Sequence, residues 1–156
     1  PIKEVLLTLG LFIPFAGLLT IGVMYLFPSY FLSFPKNNFE LWCLVMLLYP
    51  IASVYPQEVL CRAFLFRRYR TLFPTEGSKI IVSSLAFSYM HIVFMNPVAV
   101  LLSLAGGFLF SATYSRTKSL LWVSVEHSLY GMLIFTLGLG KFFYGATTFT
   151  AAYITR

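Results

Sequence analysis

Glu58 and Arg62 stand four residues apart in VYPQEVLCRAFLF, a stretch otherwise dominated by apolar and aromatic side chains. His91 and His127, the two histidines of the chain, fall in later apolar stretches. A charged side chain at mid-membrane costs about 2.5–3.5 kcal/mol on insertion scales, so such groups face a bundle interior and mark functional sites. At ~1.5 Å per residue from the ends of their apolar runs, Glu58, His91 and His127 lie roughly 12 to 18 Å deep, in one shared layer.

Spacing then decides what each group can touch. At i,i+4 the Arg62 guanidinium can hold the Glu58 carboxylate ionised, which makes Arg62 an orienting residue. Phe87 lies one turn before His91 on the same face. Glu126 and His127 are adjacent and point about 100° apart; His127 is the one assigned to the cavity, and Glu126 to a helix–helix contact or a backbone hydrogen bond. A carboxylate and two imidazoles in a dry site can polarise water as general base and stabilise an oxyanion. Alternatively, Glu58, His91 and His127 can be the ligands of a divalent metal such as zinc, with one position open for water. Both describe hydrolysis inside a membrane. A purely structural Glu–Arg pair with interhelical histidines is the plain alternative, and a proton relay in a transporter is another.

The elements that must position these groups are transmembrane helices. Of 156 residues, 59% are hydrophobic, 19% aromatic and 10% charged, against roughly 25% charged in soluble domains. Five spans are predicted, at about 5–27, 40–60, 80–95, 97–114 and 119–140, the third and fourth split at Asn96-Pro97. The net charge of +6 follows membrane topology and not a nucleic-acid face. Arg67, Arg68, Arg70 and Lys79 lie between spans two and three, Arg116 and Lys118 between four and five, and Lys3 before span one. The positive-inside rule puts these loops and the N-terminus in the cytoplasm of a plasma or inner membrane. The fourth span repeats Ala99, Ser103, Gly107 and Ser111 every four residues, a small-residue ladder for close helix approach. Cys43 and Cys61 have no CxxC partner and read as core residues. Pro1 in place of an initiator Met reads as a piece of a longer protein. The fold class is therefore an all-α polytopic bundle: residues 1–38 an N-terminal span and loop, 39–145 the helical core, and 146–156 an interfacial or truncated tail.

In this order and spacing, Glu58-xxx-Arg62, Phe87-xxx-His91 and His127 resemble the CPBP family. These are the CAAX-protease and bacteriocin-processing (Abi) intramembrane proteases, with motifs EExxxR, FxxxH and HxxxN/D. The resemblance covers roughly residues 40 to 145. It implies a membrane endopeptidase acting on a peptide or lipidated protein, from a site near the cytoplasmic side, with or without a metal. It assigns Glu58 to the second glutamate, Arg62 to the arginine, and His91 and His127 to the motif histidines. Two positions depart from the pattern. Gln57 stands where the family has its first glutamate, and an amide takes no proton from water at neutral pH. Gly131 stands where an Asn or Asp would help hold an oxyanion. An active variant, altered chemistry, and an inactive member that binds a peptide or acts in immunity are the three outcomes these departures leave open.

Overall fold

The computed structural model describes residues 2–143; the proposed tail, 146–156, lies outside them. Helix α1 is Ile2–Leu26, a short α2 is Ser33–Asn37, and α3 runs unbroken over Phe39–Arg68. Helix α4 is Glu76–Met90, closed by a 3-10 turn at His91–Phe94; α5 is Pro97–Thr117 and α6 is Leu120–Thr136. A last 3-10 turn spans Leu139–Phe143, and no strand occurs among the described residues. Four helices are long and apolar enough to cross a membrane, and α6 is a shorter, largely apolar helix of 17 residues. The chain is an all-α bundle and an integral membrane protein.

Local chemistry sets the boundaries. Asn96 Oδ1 accepts from Val98 N–H at 2.8 Å with Pro97 at the first helical position, so one dipeptide both ends a turn and opens α5. Thr75 and Ser119 cap α4 and α6 in the same way. Helix α6 stops sooner than the apolar run suggests, because Gly138 takes a φ of +90° that turns the chain back. Helix α3 goes eight residues past its predicted end, to Arg68. It contains Pro50 and Pro56, either of which would break an ordinary helix. Instead, Pro50–Val54 and Val59–Phe64 widen into π-helical turns, with the Tyr55 N–H reaching the Pro50 carbonyl and the Leu65 N–H the Leu60 carbonyl. A π turn absorbs one extra residue, a feature concentrated at functional sites.

The bundle is apolar outside and polar within. Leu47, Ile51, Leu85, Leu101 and Leu121 point outward, as a lipid-facing surface requires. The interior holds Ser83, Ser84, Ser111 and Thr113, all fully buried. The small-residue ladder of α5 lies on this side: Ala99, Ser103, Gly107 and Ser111 are buried against α4. A Cβ at Gly107 would sit 3.0 Å from the Ser84 Cα and carbonyl oxygen, so glycine sets the spacing. Ser111 Oγ bonds Ser83 Oγ at 2.9 Å, and Ser83 Oγ donates to the Cys61 carbonyl at 2.8 Å, joining α5, α4 and α3.

At the basic end, the Glu76 carboxylate gathers Lys79 and Lys118 at 2.8 Å each, together with Ser115. Of the two cysteines, Cys61 is a core residue, with its Sγ 3.5 Å from Met90 Sδ. Cys43 is not, because the turn of α3 that carries it presents it outward.

Candidate active site

Four helices meet around Glu58. Its side chain and that of Arg62 are completely buried, and His127 is 5% exposed. Arg62 Nη1 lies 3.1 Å from Glu58 Oε1, so the i,i+4 pair of the sequence forms. His127 Nδ1 meets the same oxygen at 2.7 Å. A carboxylate only accepts, so Nδ1 carries the proton and donates it in this bond. The Nε2 of His127 is thereby left as a lone pair, with the Tyr49 hydroxyl 3.4 Å from it.

Packing holds this set from three sides. The Arg62 guanidinium lies 4.4 Å from the Phe87 ring centre and 5.6 Å from that of Phe110, and its Nη2 donates to the Gly107 carbonyl at 3.4 Å. Cation–π contact of this kind is worth about 2 kcal/mol when desolvated. His127 stacks on Phe110 with ring centres 4.5 Å apart at 18°. Phe87, 2% exposed, also touches both imidazoles, at 4.7 Å from His91 and 5.3 Å from His127.

His91 sits where α4 tightens into its 3-10 turn. Its Nδ1 donates to the Phe87 carbonyl at 2.7 Å, which again leaves Nε2 as the unprotonated nitrogen. Both histidines thus have the same tautomer, one fixed by a carboxylate and the other by a peptide carbonyl.

A cavity of 370 Å³ opens in front of them, lined by His91, His127, Gln57, Ser53, Tyr49 and Gly131 among many aromatic and aliphatic side chains. Glu58 and Arg62 do not line it. They stand behind His127, while Gln57 occupies the cavity wall on α3, its Nε2 donating to Ser53 Oγ at 2.8 Å and its Oε1 buried without a partner. Glu126 is turned away from the cavity, as the 100° offset from His127 requires. It is buried beside Thr8 of α1 and Thr113 of α5, which is the helix–helix contact of the two arrangements expected for it.

Tyr49, Ser53 and Phe110 are site residues that the sequence reading passed over. Only Ser53 carries a signal, four residues before Gln57.

The donor set also bears on a metal. Both histidines have Nδ1 anchored in the way that metal-ligating histidines do. Glu58, however, is committed to Arg62 and His127, and the position facing the cavity is an amide. Among the described residues no three His, Cys, Asp or Glu side chains gather around one point. Glu58, His91 and His127 therefore do not fit a three-ligand zinc site.

The fold and site together define a polytopic membrane protein built around a buried Glu–Arg–His cluster at the wall of an apolar cavity. A family model, Rce1-like, type II CAAX prenyl endopeptidase, matches residues 39–133, from the start of α3 into the last part of α6. The chain belongs to this family, and the resemblance drawn from its three motifs is borne out at that level. No curated protein and no solved structure matches it.

Proposed function

We propose that the chain is an intramembrane endopeptidase that cleaves a peptide held in the cavity, using His127 as general base. The observation that carries this reading is the His127 geometry: Nδ1 on a buried carboxylate that Arg62 also holds, and Nε2 at the cavity wall. A neutral imidazole with its far nitrogen fixed in this way accepts a proton and is stabilised as the cation it becomes.

In the proposed reaction, the oxygen of a water in the cavity attacks the scissile carbonyl carbon while one of its protons passes to His127 Nε2. The carbonyl π pair moves onto oxygen, giving a tetrahedral oxyanion. Collapse of that intermediate breaks the C–N bond as His127 Nε2 returns the proton to the leaving amine. His91 Nε2 accepts a hydrogen bond from the second water proton and so positions the nucleophile. Glu58 and Arg62 act through His127, holding its tautomer and its charge; Phe87 packs against both imidazoles. No step runs through a metal.

The family name points to a substrate of the CAAX prenyl class, a peptide or lipidated protein. The mostly aromatic and aliphatic wall suits an apolar substrate segment, as small-molecule and lipid cavities generally do. The reading puts the site in the cytoplasmic half of the membrane: Glu58 precedes Arg67 and Arg68 by two to three turns of α3, and the positive-inside rule assigns that basic loop to the cytoplasm.

The test is cleavage of a prenylated CAAX peptide by the purified protein in liposomes. Cleavage that disappears in His127→Ala, with the melting temperature retained, supports the reading; cleavage that persists in that variant overturns it. A second reading rests on Gln57, an amide where the family has a carboxylate: a member that holds the peptide without cutting it. That reading gains if the native chain binds but leaves the peptide intact and Gln57→Glu alone makes it a protease.

A further inference from the structure

Gly131 stands one helical turn after His127, at the position where a side chain in this family would help hold the oxyanion, and it contributes no polar atom. The space beside it is nevertheless filled. A Cβ built on Gly131 would fall onto the hydroxyl, Cε1 and Cζ of Tyr49, closer than any real contact. The Tyr49 phenol, delivered from α3, thus occupies the place that a side chain on α6 would take.

Three further observations fix what that phenol can do. Tyr49 lines the cavity, and its hydroxyl lies 3.4 Å from His127 Nε2. Its ring is held edge-on by Phe135 at 5.2 Å and His127 at 6.3 Å, so the oxygen has a defined position. It follows Leu48 and precedes Pro50, where the first π turn begins and α3 changes its register.

We infer that Tyr49 is a catalytic residue of the hydrolysis proposed above, its O–H donating a hydrogen bond to the oxyanion, and that Gly131 is glycine to admit it. This inference rests on the His127 reading. In the resting state the hydroxyl points its proton toward His127 Nε2, a long contact that water replaces when substrate enters. As the carbonyl π pair moves onto oxygen, the phenol turns its O–H to that oxygen and keeps its proton throughout; the proton taken from water stays on His127. A neutral tyrosine in an apolar cavity is suited to this role, because a preorganised donor in a water-poor site acts without reorganisation cost.

The experiment uses the full chain in liposomes with a fluorogenic prenylated CAAX peptide, following kcat and KM separately. Tyr49→Phe removes one oxygen and leaves the ring packing intact. It is expected to lower kcat about 10²–10³-fold, the range for loss of one oxyanion donor, with KM within about twofold and an unchanged melting temperature. Gly131→Ala, which drives a methyl into the phenol, should lower kcat in the same direction. The paired variant Tyr49→Ala/Gly131→Asn moves the donor back to α6, and should exceed Tyr49→Ala alone by at least about tenfold.

If Tyr49→Phe turns over at the native rate while His127→Ala is dead, the tyrosine inference falls and the reading of His127 stands. Activity retained in His127→Ala, or a native chain that cleaves nothing, overturns both. Should Tyr49→Phe lower the melting temperature, the paired variant decides: recovery supports the donor role, and no gain over Tyr49→Ala overturns it.

Discussion

The two histidines present one chemical group in two settings. His127 lies in the middle of α6, its Nδ1 on a buried carboxylate that is itself held by an arginine. His91 lies where α4 tightens into its closing 3-10 turn, its Nδ1 on the carbonyl of the preceding turn, more exposed and with Phe94 and Phe143 beside it. The ring tautomer is the same in both. What differs is the charge behind the ring. A carboxylate stabilises the imidazolium that forms when Nε2 takes a proton, whereas a carbonyl dipole does so far less. On the proposed reading, in which His127 is the base, Arg62 is the second charge that accompanies Glu58 behind it, and His91 needs only orientation.

If this contrast is right, the two positions respond unequally to substitution. His127→Ala should lose about 10²–10⁴-fold in kcat/KM, the usual worth of a general base, measured by peptide cleavage. Arg62→Met should unfold the bundle more readily by about 3–5 kcal/mol, because it strands Glu58 as an uncompensated buried charge. A thermal melt in detergent reads this, and Arg62→Met/Glu58→Gln should restore much of the loss. Glu58→Gln keeps an acceptor for Nδ1 and removes the charge, so in the paired variant Arg62→Met/Glu58→Gln, where no buried charge is stranded, a fall of about 10²-fold in kcat is expected; an unchanged kcat would erase the distinction between the two imidazoles. His91→Gln, which keeps a hydrogen-bonding group for water, should cost about tenfold. A loss at His91 equal to that at His127 would make them equivalent partners.

Much of this was legible along the chain. The spans follow from length and apolarity, and the Glu58–Arg62 pair and the Phe87–His91 contact from four-residue spacing. The three motifs in order led to the family. Two features of the site were not legible, and both come from α3. Which of two consecutive residues, Gln57 or Glu58, faces the cavity is a matter of about 100° of helix rotation. Periodicity does not settle that in a helix with two π turns. Tyr49 was missed for the same reason. Eight regular steps place Tyr49 and Gln57 ~80° apart, but if a π turn absorbs one residue, seven effective steps bring them within ~20°. Pro50 and Pro56 lie within the span expected at 40–60, and the helix accommodates them by widening at Pro50–Val54 and Val59–Phe64. Cys43 was misjudged because in lipid an apolar residue is as content outside the bundle as within it.

Gly107 was described as the residue that lets α5 approach α4, and its carbonyl also receives Arg62. From that carbonyl a chain of three contacts passes through the guanidinium and the Glu58 carboxylate to the His127 imidazole. The approach of two helices and the orientation of His127 are thus linked through one residue. A side chain grown at Gly107 would press on Ser84 of α4 and shift the imidazole through Arg62 and Glu58.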